Sequence, residues 1–351
     1  MPETSPSIYE RMQQLNCCVI IPTYNNDKTL TRVIQGVLGL TADLIVVNDG
    51  ATDNTAKLLK DFPQVRQIHL PHNKGKGSAL KVGFKNALKL NYAYAITIDS
   101  DGQHFPEDIT VFLDALEKEH TKNVLYIGAR NMDQSDVPGK SSFGNKFSNF
   151  WFWFETGNWL TDTQCGYRLY PLKEIEKLNL ITPKFEFEIE VIVKASWKGT
   201  LVKNVPVKIL YDEDERVTHF RTVPDFTRIS ILNTWFVLVA IFYIKPRDFY
   251  RRIKKKGIKK FLLEDVLGST DSPAKKACSI ALGIFIGLSP FWGLHTLLVL
   301  LLSFVFKLNK PIAPVASAGA LKPDFKKVGP RSPNPDPRSG GARGGGPRKT
   351  G

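Results

Sequence analysis

Cysteine is scarce in this chain of 351 residues, which has four, at positions 17, 18, 165 and 278. Cys17 and Cys18 are adjacent and begin an apolar run, so both are expected in a protein core. The spacing excludes a paired zinc-ligand motif and the disulfide framework of a small secreted domain. A reducing, cytosolic setting is therefore predicted.

No secretory signal is expected, and the body of the chain has no excess of charge. The first ten residues, M-P-E-T-S-P-S-I-Y-E, have no charged segment followed by an apolar one. The net charge is +14, yet residues 1–244 carry a net charge of −1, because residues 245–261 hold +8, residues 262–321 hold +1 and residues 322–351 hold +6. Basic segments beside apolar ones favour a membrane surface. No nucleic-acid partner is expected, since a nucleic-acid binder would spread basic residues over the folded domain.

Strand-like and helix-like patterns alternate through residue 130. Apolar runs predict strands, and amphipathic or capped segments predict helices, at a spacing typical of βαβ units. The predicted strands cover residues 17–21, 44–47, 65–70, 95–98, 124–127 and 201–210, and the main predicted helices cover 75–90, 106–119 and 185–197. The fold class is therefore α/β, a mostly parallel sheet flanked by helices.

The segment D-S-D-G-Q at residues 99–103 follows the fourth predicted strand. It places the carboxylates of Asp99 and Asp101 one residue apart at the end of a buried strand, and Gln103 can add a third oxygen. Two close carboxylates repel each other unless a cation lies between them. Oxygen ligands suit Mg²⁺ or Mn²⁺, which commonly hold substrate phosphates. The alternative interpretation is an Asx-rich turn.

Polar residues also follow the first two predicted strands. Pro22, Tyr24 and Asn25 follow the first, and Asp49 follows the second. Ligands bind outside the carboxyl ends of parallel strands, so these loops are expected to converge on one ligand. Tyr24 is predicted to line the pocket and Asp49 to accept a ring N–H of a base. Helix capping is the alternative for Asp49 and Asp53.

Four motifs resemble glycosyltransferase family 2 when taken in order: I-I-P-T-Y-N-N, V-V-N-D-G-A-T-D-N-T, N-K-G-K-G-S-A-L and D-S-D-G-Q-H. The segment D-T-Q-C-G-Y-R-L-Y at residues 162–170 adds to the resemblance. The resemblance covers about residues 16–230, and it is greatest to dolichyl-phosphate mannose synthases and bacterial polyprenyl-phosphate glycosyltransferases. It implies a GT-A (Rossmann-like) fold and a nucleotide-sugar donor. The pairs Asn25-Asn26 and Asn48-Asp49 depart from the family's usual Asn-Glu and Asp-Asp, which leaves the donor base open.

By motif match, the resemblance also implies roles for particular residues. The implied nucleotide-sugar contacts are Pro22, Tyr24, Asn25, Asp49, Lys76, Asp99 and Arg168. The implied ligands of Mg²⁺ or Mn²⁺ are Asp99, Asp101 and Gln103. The candidate catalytic residues are Asp101, Arg130 and Asp162. Arg130 would contact a phosphate, and Asp162, by its position, would act as the base if the acceptor is a hydroxyl. Structural alternatives remain open: a helix start for Lys76, ion pairs for the two arginines and loop ordering for Asp162.

Apolar segments predict membrane-associated helices toward the C-terminus. Residues 229–244 are uncharged, and residues 277–306 carry no formal charge when His295 is neutral. The second of these segments is predicted to form either one kinked span or a helical hairpin. The second segment resembles a small membrane domain appended to some bacterial glycosyltransferases. An aromatic segment at 141–160 is expected either under the sheet or at a membrane interface. The predicted domains are a 1–15 extension, a 16–228 GT-A domain, a 229–261 membrane-associated and basic segment, a truncated 262–312 membrane domain and a disordered 313–351 tail.

The resulting hypothesis is an inverting transferase that moves a sugar from GDP-mannose or a UDP-hexose to a polyprenyl or dolichyl phosphate. It would act at the cell inner membrane, with the catalytic domain on the cytoplasmic side. The residues expected to collect the acceptor phosphate are Lys140, Lys146, Arg216 and Arg221, with His219 beside them; ordinary solvated charge is the alternative. Two other functions stay open: transfer to a hydroxyl of a cell-envelope lipid or polysaccharide, and a catalytically weak nucleotide-sugar binding module.

Overall fold

The computed structural model describes residues 6–130, 139–210, 219–257 and 272–288, together with ten positions between 298 and 317. The chain divides into two compact units, Met1–Tyr250 and Arg251–Gly351. The site residues described below belong to the first unit.

A seven-stranded sheet forms the centre of the described part of the first unit. Its strands are β1 (Cys17–Thr23), β2 (Leu44–Asn48), β3 (Arg66–His69), β4 (Tyr94–Thr97), β5 (Val124–Arg130), β6 (Arg168–Pro171) and β7 (Leu201–Val207). The strand order is β3-β2-β1-β4-β6-β5-β7, and only β6 runs antiparallel to its neighbours. β1, β2 and β4 are buried along their whole length, as near-continuous apolar runs in a parallel sheet should be. The predicted mostly parallel sheet is confirmed.

Helices flank this sheet. Those of the first unit are α1 (Ile8–Gln14), α2 (Asp27–Leu38), α3 (Thr55–Leu58), α4 (Lys76–Lys89), α5 (Ile109–Lys118), α6 (Gly139–Thr156), α7 (Leu172–Glu176), α8 (Phe187–Trp197) and α9 (Thr222–Val239), followed by α10 (Lys245–Lys256). α4 buries Leu80, Phe84 and Ala87, which are three or four residues apart and so share one helix face. It packs on β1 and β2, so its N-terminus lies at the carboxyl edge of the sheet.

α6 contains the aromatic segment of the sequence and has two different faces. Phe152 is buried, whereas Phe147 and Phe150 are exposed. The buried side agrees with the packed alternative, and a membrane interface for the exposed side stays a prediction.

α9 continues through one turn of π-helix (Ala240–Ile244) into α10. The resulting helix, Thr222–Arg251, is the one helix in the described residues that is long and apolar enough to cross a membrane. It begins before residue 229, so the predicted boundary between residues 228 and 229 lies inside α9.

In the second unit, α11 (Pro273–Leu288) is described, and Ile286, Val299 and Ala313 form a small apolar cluster there. The G-L-S-P-F-W-G interruption of the second apolar segment lies mostly outside the described residues, and so does the tail after Ser317. The one-span and hairpin alternatives for residues 277–306 both stay predictions.

Candidate functional site

A cavity of about 560 Å³ opens at the carboxyl ends of β1, β2 and β4. Several predicted site residues line it: Pro22, Tyr24, Asp49, Lys76, Asp99, Asp101 and Arg221. The sequence did not single out other lining residues, among them Asn26, Asn73, Ser100, Lys184, Phe185, Phe220 and Asp225. The loops after these parallel strands therefore meet, as predicted, around a space large enough for a small-molecule ligand.

The loop after β1 is tied to its neighbours by two asparagines. Asn25 has a φ of +48°, and its Oδ1 accepts the backbone N–H of Thr52 at 2.8 Å. Asn26 donates to Ser100 Oγ at 2.8 Å, which joins this loop to the D-S-D segment. Asn26 lines the cavity, whereas Asn25 holds two loops together beside it. The nucleotide contact of Asn25 stays a prediction.

Asp49 is buried at the cavity and fixes the loop before α4. Its two carboxylate oxygens accept the backbone N–H groups of Lys74 at 2.8 Å and Gly75 at 2.7 Å. Burial nevertheless raises the pKa of Asp49 above its ordinary value, against these hydrogen bonds. Gly50 turns at a φ of +67°, where a Cβ would overlap the backbone of His72. Asp49 therefore sets the position at which α4 begins.

Asp53 has the capping role that was one alternative for it. Its Oδ1 accepts the N–H of Thr55 at the start of α3, at 2.9 Å, and its Oδ2 accepts the N–H of Asp27 at the start of α2, at 3.1 Å. Two helix N-termini thus share one carboxylate, which suits the partial positive charge there.

Lys76, in the first turn of α4, forms an ion-pair cluster with Asp99 and Glu188. Its Nζ lies 2.7 Å and 2.9 Å from the two oxygens of Asp99 and 2.8 Å from Oε1 of Glu188. An ammonium group has three N–H donors, so this geometry uses all of them. Burial opposes the charge, but Asp99 and Glu188 hold the pKa of Lys76 above its ordinary value.

The cluster fits closely under the loop before β6. A Cβ at Gly166 would overlap both the Asp99 carboxylate and the Lys76 ammonium, so only glycine leaves room for the pair there. The cation that neutralises Asp99 in this structure is therefore a lysine of the chain itself. The predicted roles of Lys76 in phosphate binding and of Asp99 in cation binding both require this pair to rearrange.

Asp101 lines the cavity two residues farther along. Its Oδ1 accepts the backbone N–H of Gln103 at 3.1 Å, and the backbone oxygen of Gln103 accepts the N–H of Leu210 at 2.8 Å. Nε2 of Gln103 is buried, and no residue in the described part of the chain forms a hydrogen bond with it. The two ends of a side-chain amide are interchangeable by rotation, so this unsatisfied end can present an oxygen.

Carboxylate and amide oxygens are ligands that a hard divalent cation prefers, but Gln103 is not among the residues that line the cavity, so its role as a ligand stays a prediction. In the described residues, no group of three His, Cys, Asp or Glu side chains has metal-ligand spacing. Mg²⁺ usually binds through one or two carboxylates together with substrate phosphates, so a complete protein cage is not required. The Asp101 carboxylate and the Gln103 amide are oxygen donors of this kind.

Arg130 and Asp162 form a bidentate ion pair. Nε and Nη2 of Arg130 donate to the two Asp162 oxygens at 2.7 Å and 3.1 Å. Asp162 is fully buried and also accepts the N–H groups of Gln164 and Cys165. This geometry agrees with loop ordering, the alternative for Asp162. Neither residue lines the cavity, so their catalytic roles stay predictions.

Arg168 is fully buried at the start of β6. Its guanidinium donates to the backbone oxygens of Cys165 at 2.6 Å, Glu188 at 2.7 Å and Thr163 at 3.0 Å. This position favours a structural role over a contact with the nucleotide sugar.

The opposite wall of the cavity comes from the start of α9. Asp225 accepts the backbone N–H of Arg221 at 2.8 Å, and its Oδ1 lies 3.2 Å from Nη1 of Arg228. His219 packs edge-on against Tyr24, with 5.3 Å between the ring centroids. Of the residues predicted to collect the acceptor phosphate, Arg221 and His219 therefore both line the cavity.

The other three lie elsewhere. Lys146 is exposed on α6, whereas Arg216 and the side chain of Lys140 lie outside the described residues. Their roles stay predictions.

Comparison with known proteins identifies the family. Residues 18–178 match the family described as Glycosyl transferase family 2. The chain is 30% identical over 208 residues to an uncharacterized protein of Methanocaldococcus jannaschii, a match that covers 56% of this chain and 82% of that protein. The chain belongs to glycosyltransferase family 2.

Among the relatives of this glycosyltransferase are enzymes named for lipid phosphates. The polyprenol monophosphomannose synthase of Mycolicibacterium smegmatis is 30% identical, over 54% of this chain and 75% of that protein. The UDP-N-acetylglucosamine–dolichyl-phosphate N-acetylglucosaminyltransferase of Methanococcus voltae is 28% identical, over 56% of this chain and 86% of that protein. The predicted resemblance is confirmed.

A solved structure agrees with the fold of this glycosyltransferase. Glucosyl-3-phosphoglycerate synthase of Mycobacterium tuberculosis, in complex with Mn²⁺, uridine diphosphate and phosphoglyceric acid, aligns with a TM-score of 0.50 at 17% identity. The alignment covers 68% of this chain and 84% of that chain, and it agrees with the predicted GT-A fold. Separately, residues 258–321 match an uncharacterized family conserved in bacteria, DUF2062, in the region predicted to resemble an appended membrane domain.

Some site residues had only a weak signal in the sequence. Glu188 belongs to the run K-F-E-F-E-I-E at residues 184–190, in which three acids alternate with apolar residues in a predicted helix. A helix that buries both kinds of residue needs cationic partners for the acids, and Lys76 is the partner of Glu188. Asp225 similarly stands between the apolar residues Pro224 and Phe226, and it is buried at 1% exposure.

Proposed function

We propose that this family 2 glycosyltransferase transfers a hexose from a nucleoside diphosphate sugar, GDP-mannose or a UDP-hexose, to a polyprenyl or dolichyl phosphate. The reaction would take place at the cytoplasmic face of the cell inner membrane. One observation carries the proposal: a single cavity joins the D-S-D segment at the end of β4 to Arg221 and His219 at the start of the long apolar helix.

The donor is assigned to the wall formed by the strand ends. Pro22, Tyr24 and Asp49 surround the position proposed for the base, where the Tyr24 ring offers a flat face. The diphosphate is assigned to the D-S-D end, where Asp101 and Gln103 would hold Mg²⁺ or Mn²⁺. When bound, that cation would neutralise the negative charge that builds up on the diphosphate as it leaves. Asp99 becomes a third ligand only if Lys76 moves away from it.

The acceptor phosphate is assigned to Arg221 and His219, with Lys184 at the same cavity. A phosphate oxygen of the acceptor would form a bond to the anomeric carbon while the bond from that carbon to the diphosphate breaks. A single displacement of this kind inverts the anomeric centre. The acceptor arrives as an anion, so the reaction needs no strong general base.

The carboxylates at the cavity favour a phosphate acceptor over a hydroxyl, which would require such a base. Asp49 accepts two backbone N–H groups, Asp99 is paired with Lys76, and Asp225 is paired with Arg221 and Arg228. Asp162, the base predicted for a hydroxyl acceptor, is buried in its pair with Arg130. Each of these groups is already committed to another partner, and Asp101, the remaining carboxylate at the cavity, is assigned to the cation.

The test is transfer from labelled nucleotide sugars by the purified full chain with polyprenyl phosphate. The proposal expects a labelled lipid that mild acid hydrolyses, because a sugar phosphate ester at the anomeric carbon is acid-labile. Acid-stable lipid or polymer label would instead support a hydroxyl acceptor. Binding of a nucleotide sugar without any transfer would support a weak binding module and refute the proposal.

A further inference from the structure

The helix Thr222–Arg251 packs against the rest of the first unit along one face and is exposed along the opposite face. Leu232, Phe236, Ala240 and Ile244 recur every four positions and face the rest of the first unit, as does Asp225 in the first turn. Ile231, Trp235, Leu238 and Phe242 share the opposite side, which is apolar, and 43–65% of each residue's surface is exposed.

The buried face is attached to the catalytic domain along the length of the helix. At its start, Asp225 lines the cavity. In its middle, the Phe236 ring packs against Trp197 of α8, with 5.2 Å between centroids. Near its end, Lys245 Nζ lies 3.9 Å from the Phe154 ring centroid of α6. The attachment from Asp225 to Lys245 spans about 30 Å of helix, at about 1.5 Å per residue.

This attachment conflicts with a membrane-spanning orientation. If the helix crossed the bilayer while still packed, α6 and the end of α8 would have to enter the hydrocarbon with it. Lys194 and Lys198 of α8 would be among the groups carried in, at about 2.5–3.5 kcal/mol for each charge at the centre of a bilayer. If the helix detached to cross, buried Asp225 and Asn233 would enter the hydrocarbon instead.

We propose that this helix lies in the plane of the membrane interface, with the face from Ile231 to Phe242 inserted at the boundary between headgroups and acyl chains. The inference rests on the proposed function only in taking a membrane lipid as the acceptor. Trp235 and Tyr243 are residue types that favour the headgroup level. The helix runs into the basic segment of residues 245–261, whose net charge of +8 suits an anionic phospholipid surface.

The orientation has a consequence for the acceptor. Arg221 and Asp225, at the N-terminal end of the helix, line the cavity. A helix lying flat in the interface brings the Arg221 side of the cavity to the level of the lipid headgroups. A phosphate that remains attached to its lipid could then reach the cavity without leaving the bilayer.

Depth measurements with spin labels test the orientation. Nitroxides are placed singly at Ile231→Cys, Trp235→Cys and Phe242→Cys in the full chain, with exposed Cys278 replaced by serine. The protein is reconstituted in vesicles of phosphatidylethanolamine and phosphatidylglycerol, and depth is read from relaxation by oxygen against a water-soluble nickel complex. Tyr9→Cys on α1 is the matched control, because Tyr9 is 48% exposed and far from this helix in sequence.

The proposal expects all three helix labels at one shallow depth, within about 5 Å of each other, and the control label in water. A spanning helix would give depths that differ by up to about 17 Å between positions 231 and 242, at about 1.5 Å per residue. That result would overturn the proposal, and so would three labels in water. Sugar transfer is assayed on the same samples. Labels at one shallow depth without transfer would refute the proposed function and leave the orientation intact. Label depths that increase along the helix, with transfer retained, would refute the orientation and leave the proposed function intact.

Discussion

Replacing Lys76 with methionine removes the cation shared by Asp99 and Glu188 and keeps most of the side-chain length. In the folded protein the ammonium makes three contacts of 2.7–2.9 Å with these carboxylates. Lys76→Met would leave two carboxylates facing each other where their side chains are only 23% and 13% exposed. The variant is therefore expected to be less stable than the wild type.

The size of the loss follows from the burial. Breaking a fully buried ion pair by removing one partner costs about 3–5 kcal/mol, and the partial exposure of this cluster reduces the expected loss to about 2–3 kcal/mol. For a unit of this size, about 1 kcal/mol corresponds to about 2–4 °C in Tm, so a drop of about 4–12 °C is expected. The exposed pair between Lys177 and Glu174 provides the matched control. Lys177→Met is expected to change the stability by less than about 1 kcal/mol.

The assay is thermal unfolding of the full chain followed by intrinsic fluorescence. The triple variant Lys76→Met, Asp99→Asn, Glu188→Gln removes all three charges together and is expected to recover at least half of the lost Tm. A Tm for Lys76→Met within about 1 °C of the wild type would refute the reasoning. A triple variant no more stable than the single one would also refute it, because the loss would then not come from uncompensated carboxylates.

Three further predictions concern single residues. In the described residues, both carboxylate oxygens of Glu155 are buried without a partner, and burial raises the pKa of Glu155 from 4.5 to about 8. Between these two pH values the folded state holds a proton that the unfolded state releases, so the free energy of unfolding should fall by roughly 3–5 kcal/mol from about pH 4.5 to 8. Glu155→Gln should remove this pH dependence when unfolding is measured across the same range. Gly166→Ala should lower stability by about 1–3 kcal/mol in thermal unfolding, because its Cβ would overlap Asp99. Mn²⁺ binding is measured in the presence of uridine diphosphate by electron paramagnetic resonance of free Mn²⁺. Asp101→Asn should weaken this binding by about 10-fold or more, and Asp99→Asn should weaken it by less than about 3-fold. Equal losses for the two aspartates would contradict the assignment of Lys76 as the partner of Asp99.

Local patterns were enough to predict most of the sheet. β1, β2 and β4 are continuous apolar runs that end in turn residues, and both signals lie within a few residues of the chain. The convergence of their loops follows from parallel pairing, which places the carboxyl ends of neighbouring strands together. Hence Asp49 and Asp101 could be placed at one cavity without knowledge of any contact.

β6 was missed because its signal is not local. It has only four residues, R-L-Y-P, which begin with a charge and end with proline. It becomes a strand by pairing antiparallel with β4 and β5. The buried guanidinium of Arg168 is tolerated because three backbone oxygens accept its N–H groups.

The partners of the charged site residues were also beyond sequence patterns. Glu188 is more than a hundred positions from Lys76 along the chain, and only the packing of α8 against α4 brings them together. For the same reason the sequence left two roles open for Asp162, and its pair with Arg130 became visible only in the folded chain. A motif identifies a chemical group but does not identify what already neutralises it.

The electrostatic role of Asp101 is tested most directly by transfer from a labelled nucleotide sugar to polyprenyl phosphate with and without a divalent cation. The account predicts transfer that EDTA abolishes and Mn²⁺ or Mg²⁺ restores, with Asp101→Asn slower by about 100-fold or more and the exposed Asp61→Asn unchanged. Full transfer in EDTA, or by Asp101→Asn, would contradict it.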